Sequence, residues 1–138
     1  MSERRRVSSG SPFEPKVGFS RAVRVGDRVL VSGTAPVWPD GSCDPDPEVQ
    51  AARCLEIVLD ALREAGAEPE HVVRTRMFIV DRDDQDAVAR AHHAVFADIR
   101  PAATMVVVGS GLEFADRGAT ELKGVPGEWR LFAVAGDG

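Results

Sequence analysis

Valine-rich runs separated by turn residues mark the first part of the chain. Residues 19–25 (FSRAVRV) and 28–32 (RVLVS) flank the dipeptide Gly26-Asp27, which predicts a short β-hairpin. Apolar side chains alternate onto both faces of the second run, so this strand is predicted to be buried on both sides. The next stretch, residues 33–47, contains four prolines and predicts a long loop, because proline supplies no backbone donor to a sheet.

Two segments carry apolar residues at helical spacing. Residues 47–65 follow Asp46, a residue type that caps helix starts, and they end at Gly66, a residue type that follows helix ends. A second helix is predicted at about residues 84–99, where acidic residues at the start suit the positive end of the helix dipole. The apolar positions that define the two stripes are Ala51, Leu55, Val58, Leu59 and Leu62 in the first helix, and Val88, Ala91, Val95 and Phe96 in the second.

Four further segments are rich in residues that favour strands, namely residues 72–80, 103–108, 119–125 and 129–135. The element order is strand, strand, helix, strand, helix, strand, strand, strand. This order predicts an α+β fold in which two helices cover one face of a mixed sheet. Residues 1–16 contain SSGSPFEPK and show no periodicity, so they predict a flexible N-terminal arm and leave residues 17–138 as a single domain.

Length and charge exclude several classes of protein. The 138 residues suit one domain, and 43% hydrophobic against 28% charged residues is a globular balance. The net charge of −5 argues against a nucleic-acid partner, and no apolar run approaches the roughly 20 residues of a membrane span. Because we find no secretory signal, we expect a cytoplasmic protein in which Cys43 and Cys54 are free thiols.

The three histidines do not predict a metal site. His92 and His93 are adjacent on the second predicted helix and diverge by about 100°, while His71 is isolated. No carboxylate or histidine set at metal-ligand spacing surrounds them, so we expect neither a metal nor another cofactor. Cys54 precedes the core position Leu55 and is interpreted as a buried thiol.

Four short motifs occur in a characteristic order. They are GDRVLVSG at residues 26–33 preceded by FSRAV, a helix from about Gln50 to AGA at 65–67, HVVRTRMFIVD at 71–81, and the step Arg100-Pro101-Ala102 into a strand. Together they resemble the RidA/YjgF family, also labelled the L-PSP endoribonuclease family, from about residue 18 to residue 134. The resemblance implies a chorismate-mutase-like fold, a homotrimer with clefts between subunits, and hydrolysis of reactive enamines and imines to keto acids and ammonia.

Carried over residue by residue, the resemblance implies a pocket that has lost its charged contact. Members of the family place a carboxylate-binding arginine directly after the Pro-Ala step, where this chain has Ala103. A methyl group supplies neither charge nor donor, and the loss of such a contact costs about 2–5 kcal/mol where it is buried. The deamination of 2-imino acids is therefore expected to be disfavoured in this chain.

The other pocket positions are partly retained. Glu121 matches the glutamate that positions the attacking water, and Ser32-Gly33 matches the Ser-Gly step that lines the pocket. Phe19 stands where deaminating members often have a tyrosine, and Ala89 where they have an asparagine. Lys123 replaces a second acid and is expected on the same strand face as Glu121.

Each charged candidate also has an ordinary interpretation. Glu121 either activates water or is an exposed strand carboxylate paired with Lys123. Lys123 is either a replacement cation for an anionic ligand or only a surface partner of that carboxylate. Arg100 either reaches the pocket in place of the missing arginine or lies in solvent on its loop.

Two functional hypotheses follow for this acidic chain. The first is water attack, assisted by Glu121, on a small imine, enamine or related carbonyl metabolite that is polarised by a backbone N–H near Gly33 or Ala103. The second is a trimer that binds a small molecule without turning it over. RNA cleavage is disfavoured by the acidic charge and by the lack of an aromatic-plus-basic strand motif.

The apolar strands VVRTRMFIV and ATMVVVG, with helices on one face only, predict an interface through which a neighbouring subunit completes the site.

Overall fold

The computed structural model describes residues 3–108, 113–121 and 128–135. Within these residues the chain forms an α+β arrangement of helices and strands, in agreement with the fold class predicted from the sequence. The elements are β1 (Arg4–Val7), α1 (Phe13–Val17), β2 (Ala22–Val25), β3 (Arg28–Val31), α2 (Pro47–Glu64), β4 (Arg74–Ile79), α3 (Gln85–Phe96), β5 (Ala102–Val107), β6 (Glu113–Glu121) and β7 (Glu128–Ala135).

The strands include both antiparallel and parallel pairs. Strands β1, β2 and β3 form an antiparallel ladder in that order, and β6 pairs with β7 in the same sense. Strands β4 and β5 are parallel, and α3 connects them as the crossover helix that a parallel pair requires. In the described residues these pairings belong to three separate ladders, whereas the sequence predicted one mixed sheet.

Helix α2 begins and ends where its sequence signals predict. The Asp46 carboxylate accepts hydrogen bonds from the N–H groups of Glu48 (2.8 Å) and Val49 (3.1 Å), and a proline occupies the first helical position. Beyond the other end, Gly66 has a φ of 81°, the left-handed conformation that glycine adopts without strain. The predicted cap and stop are therefore both confirmed.

The hydrophobic core lies where α2 meets the N-terminal sheet and α3. Its buried side chains come from both long helices and from the strands, and Val29 and Val31 of β3 pack against both of its clusters. Leu30 points to the opposite face of β3 and is 63% exposed. The prediction that this strand is buried on both sides is therefore wrong for the described chain, because α2 covers only one face. The core residues are Val7, Ala22, Leu59, Ala61, Leu62, Ala65, Ala67, Ile79, Val88, Ala91 and Phe96.

The N-terminal segment differs from its prediction. Strand β1 pairs with β2, with Val7 opposite Ala22, and Val7 is only 2% exposed. The guanidinium of Arg5 donates to the carbonyl of Glu64 at the end of α2 (2.6 Å). Residues 3–16 thus belong to the folded domain, which corrects the expected arm at residues 1–16. A single buried valine and backbone pairing anchor this segment, and neither leaves a periodic pattern in the sequence.

Two further boundaries move. The predicted second helix begins with a 3₁₀ turn at Arg82–Asp84, and its regular part ends at Phe96. Arg100 then has a φ of 52°, which turns the chain before Pro101. The strand predicted at residues 119–125 is instead β6, which starts at Glu113, and residues 122–125 lie outside the described part.

One face of the β4–β5 pair is exposed in the described chain. Arg74, Arg76 and Phe78 alternate onto this face, and Phe78 is 66% exposed. Val80, just beyond the strand, is 72% exposed. The helices of the described segments offer no stretch that is both long and apolar enough to cross a bilayer.

Candidate functional site

The Ser-Gly step lies immediately after β3, where the hairpin ends. The Ser32 N–H donates to the carbonyl of Arg21 (3.0 Å), which extends the pairing of β2 and β3 by one residue. The Ser32 hydroxyl donates to the carbonyl of Ser20 (2.6 Å). Both bonds join Ser32 to the residues that lead into β2, so Ser32 fixes the end of β3. The next residue, Gly33, is exposed.

Arg21 holds the segment from Ser32 to Thr34 from behind. Its Nη2 donates to the carbonyl oxygens of Ser32 and Gly33 (3.0 Å to the latter) and to the hydroxyl of Thr34 (2.8 Å). Burial lowers the pKa of the Arg21 guanidinium, while the carboxylate of Glu14 acts in the opposite direction. The arginine nevertheless keeps its charge, since its pKa starts far above neutrality.

The backbone N–H groups of Gly33 and Thr34 have no hydrogen-bond partner within the part of the chain that the structure describes. A Cβ placed on Gly33 would likewise meet no described atom within 4 Å. Gly33 is exposed and Thr34 is partly buried. Within the described residues, this edge of the Ser-Gly step therefore presents two backbone donors without a protein acceptor.

A second contact fixes the same segment from α2. The thiol of Cys54 donates to the carbonyl of Thr34 (3.4 Å). Burial raises the pKa of this thiol, and Cys43 adds to the increase. The Cys54 side chain is half-buried, whereas the sequence predicted a buried thiol, and it acts as a weak donor that joins the helix to the end of β3.

The proline-rich loop that follows packs along α2. Arg53 lies over the indole ring of Trp38 (4.5 Å to the ring centroid) and donates from Nε to the carbonyl of Val37 (3.3 Å). Gln50 donates to the carbonyl of Asp44 (2.6 Å). These contacts hold the loop that follows the Ser-Gly step against helix α2.

Phe19 lies at the entrance to β2. It follows Gly18, whose φ of 89° ends α1, and its N–H donates to the carbonyl of Glu14 (3.0 Å). Its side chain is 41% exposed, so the ring has a face available to a ligand or to another subunit. The Glu14 carboxylate itself is buried, and hydrogen bonds from Ser8 and Ser9 lower its pKa.

Ala103 lies on β5 opposite Thr75 of β4 and is exposed. Partners in a parallel pair point to the same face, and the Thr75 hydroxyl oxygen is 2.9 Å from Nε2 of His92 on α3. Burial lowers the pKa of His92. Ala103 thus shares its strand face with the Thr75 hydroxyl, which contacts an imidazole whose neutral form burial favours.

Arg100 and Ala89 are both exposed. The Nε of Arg100 donates to the carbonyl of Ala97 (3.2 Å) at the end of α3, which is a helix-end contact. Among the described residues no hydrogen bond links Arg100 or Ala103 to the segment from Ser32 to Thr34. The structure therefore brings Ser32 and Gly33 together with β2, and places Ala103 and Arg100 on the β4–β5 unit.

Glu121 is the last residue of β6, where its backbone pairs with Glu128 of β7. This confirms the prediction that residue 121 lies on a strand. Lys123 lies outside the described residues. The assignment of Glu121 as the water-positioning group and of Lys123 as its neighbour stays a prediction.

The sequence alone did not identify Arg21, Thr34 or the Thr75–His92 pair. The only signal for Arg21 was its place in the motif FSRAV, two residues after Phe19. Contacts that span 12 or 13 residues, such as those from Arg21 to Gly33 and Thr34, leave no local pattern from which they can be inferred.

Comparison with known proteins decides the family. A model of the family described as Endoribonuclease L-PSP matches residues 10–113. An uncharacterised protein of Streptomyces coelicolor is 43% identical over 107 residues, which cover 75% of this chain and 78% of that protein. The chain belongs to the RidA/YjgF family.

Solved structures of relatives in the RidA/YjgF family confirm the fold class of this chain. The crystal structure of a Mycobacterium tuberculosis member of the YjgF/YER057c/UK114 family matches with a TM-score of 0.71 at 40% identity, over 78% of this chain and 86% of that one. The E. coli YjgF gene product matches with a TM-score of 0.63 at 26% identity, over 75% and 80% of the two chains. A 2-iminobutanoate/2-iminopropanoate deaminase of Salmonella typhimurium is 31% identical over 81 residues, or 58% of this chain and 63% of that protein.

Proposed function

We propose that this RidA-family protein hydrolyses a small reactive imine, enamine or related carbonyl metabolite. The observation that carries the proposal is the pair of backbone N–H groups at Gly33 and Thr34, which have no partner among the described residues and lie in a segment that Arg21 holds through the carbonyls of Ser32 and Gly33. The relationship to a 2-iminobutanoate/2-iminopropanoate deaminase supports the reaction class.

The reaction needs one water molecule and no redox step. Water adds to the imine carbon and gives a carbinolamine, which collapses to a carbonyl compound and ammonia. We assign Glu121 as the base that takes a proton from the attacking water and returns it to the leaving nitrogen. A backbone N–H at Gly33 stabilises the electron density that develops on the substrate heteroatom.

The substrate preference follows from Ala103. Because this position holds no cation, we propose that the preferred substrate lacks the carboxylate of a 2-imino acid. The Thr75–His92 pair offers hydrogen bonds without a positive charge when the imidazole is neutral. An uncharged polar group fits such surroundings better than a carboxylate does.

We further propose that the active form is a cytoplasmic homotrimer with the site in the cleft between subunits. The exposed Phe78 and Val80 on one face of the β4–β5 pair support self-association, because large apolar side chains are seldom left in water together. A subunit packed on this face would also bring its own residues to the site. Sedimentation velocity of the full chain tests the stoichiometry.

The alternative is a trimer that binds a small molecule without catalysis, and the observation that favours it is again Ala103. Steady-state ammonia release separates the two. Imines with and without a carboxylate are generated in situ, and the wild type is compared with Glu121→Gln and with Glu113→Gln, a matched change at the other end of β6.

We expect faster turnover of the imine without a carboxylate and its loss in Glu121→Gln alone. Unchanged turnover in Glu121→Gln contradicts the mechanism. Saturable binding of an imine by the wild type with no ammonia release supports the binding function instead.

A further inference from the structure

We propose that Arg21 is a positioning residue that turns the backbone N–H groups of Gly33 and Thr34 into a two-donor site for a single oxygen or nitrogen atom of the substrate. The inference rests on the proposed function, because the substrate atom is the carbonyl or imine heteroatom of that reaction. Arg21 does not touch the substrate in this scheme. It acts only through the backbone that it holds.

Two consecutive carbonyl groups at the Ser-Gly step point toward the same side chain. In an extended strand, consecutive carbonyls point to opposite sides. Here the carbonyls of Ser32 and Gly33 both accept from the same nitrogen, Nη2 of Arg21. The backbone has therefore left the strand conformation, and both carbonyls point inward to the guanidinium.

The N–H groups of Gly33 and Thr34 point to the other side of the chain. In a trans peptide the N–H points away from the C=O of the same unit, and the described chain has no cis peptide bond. The Ser32 carbonyl shares a peptide unit with the Gly33 N–H, and the Gly33 carbonyl shares one with the Thr34 N–H. Both N–H groups must therefore point away from Arg21.

Two neighbouring N–H groups with the same direction can hold a single substrate atom. Successive backbone N–H groups that point the same way form a concave donor site, and fixed donors of this kind stabilise a developing negative charge. The segment is also held at its other end, because the Thr34 carbonyl accepts from Cys54 and the Thr34 hydroxyl accepts from Arg21. Arg21 thus supplies the orientation, and the backbone supplies the donors.

Arginine suits this task better than other side chains. Its planar, rigid guanidinium keeps Nη2 in one place among the three acceptors, whereas the ammonium of lysine ends a flexible stem and glutamine is shorter and neutral. The same strand offers a matched control in Arg24, whose Nη1 donates to the carbonyls of Ala65 (2.9 Å) and Gly66 (3.0 Å). Arg24 makes the same kind of contact at the end of the strand away from the Ser-Gly step.

The experiment compares Arg21→Gln, Arg21→Lys and Arg24→Gln. The first measurement uses ¹⁵N relaxation of the Gly33 and Thr34 amides without substrate. We expect order parameters near 0.85 in the wild type and in Arg24→Gln, a fall below about 0.6 in Arg21→Gln, and an intermediate value in Arg21→Lys. The second measurement is the hydrolysis of the preferred imine.

In that assay we expect Arg21→Gln to lower kcat by about tenfold to a hundredfold with a smaller change in KM, since a misplaced group acts mainly on the transition state. Arg21→Lys should restore part of kcat, and Arg24→Gln should stay within about twofold of the wild type. Order parameters that do not fall in Arg21→Gln, or a kcat that does not fall, overturn the inference while the hydrolase function stands. If the wild type hydrolyses no imine, the proposed function fails, and unchanged amide order in Arg21→Gln then overturns the inference separately.

Discussion

The imidazole Nε2 of His92 lies 2.9 Å from the hydroxyl oxygen of Thr75, so that helix α3 and strand β4 are joined by a hydrogen bond. The ring of Phe96 lies against the same imidazole in a tilted arrangement, with ring centroids 4.7 Å apart. Burial lowers the pKa of His92 from its ordinary value of 6.5. The folded chain therefore prefers the neutral imidazole.

This preference predicts a pH dependence of stability. Because the unfolded chain binds a proton at His92 more readily than the folded chain, the stabilisation is fully present above about pH 6.5 and is lost as the pH falls through the lower folded pKa. Urea denaturation at several pH values between 5 and 8 measures the free energy of unfolding. The slope of this free energy against pH should be smaller in His92→Gln than in the wild type. The exposed His93→Gln serves as control, and an equal slope in wild type and His92→Gln would contradict the assignment.

The helix cap at Asp46 predicts a measurable loss of stability on truncation. Asp46→Ala removes the acceptor for the N–H groups of Glu48 and Val49, and the free energy of unfolding should fall by about 1 kcal/mol. Asp60→Ala, on the exposed surface of the same helix, should change it by less than about 0.5 kcal/mol. Chemical denaturation measures both, and equal effects would show that the cap contributes nothing specific.

The N-terminal strand predicts that Val7 belongs to the core. Val7→Ala removes two buried methyl groups and should lower the free energy of unfolding by about 1.5–2.5 kcal/mol. Val73→Ala, at a position that is 79% exposed, is the matched control and should be nearly neutral. If both variants are as stable as the wild type, residues 3–16 behave as the loose arm that the sequence suggested.

An arginine at position 103 is predicted to change the substrate preference. Ala103→Arg should raise ammonia release from 2-imino acids by on the order of tenfold or more, because a guanidinium fork binds a carboxylate with two charge-assisted bonds. Ala102→Arg, on the neighbouring position and opposite face of β5, should not. If Ala103→Arg is folded and inactive, Phe19→Tyr is added. No gain in the double variant would argue against the pocket assignment.

The two thiols are predicted to differ in reactivity. The Cys54 thiol is half-buried with a raised pKa, whereas Cys43 is exposed on the loop, so iodoacetamide should alkylate Cys54 roughly tenfold or more slowly. Mass spectrometry of Cys43→Ser and Cys54→Ser variants measures each rate separately. Similar rates in the folded protein would show that the Cys54–Thr34 contact does not protect the thiol.

Local patterns predicted some of the site and missed the part that organises it. Ser32 and Gly33 were identified through their motif, and their place after β3 followed from the predicted hairpin. The exposed position of Ala103 on β5 was not predicted, nor was the hydroxyl–imidazole pair beside it. These neighbours come from β4 and α3, and the order of residues along the chain does not show which of them meet.

What the sequence by itself determined is local. The start of α2 at Asp46, its stop at Gly66 and the turn at Gly26 each depend on the conformations that a few adjacent residues allow. The tertiary structure alone decided that β1 pairs with β2 and that Arg21 holds Ser32, Gly33 and Thr34. The physical reason is that a short strand with one buried valine, or a single arginine, gains its stability from partners distant in the chain. A periodic hydrophobic pattern shows which face of a helix or strand is buried. It does not show which hydrogen bonds a single side chain makes.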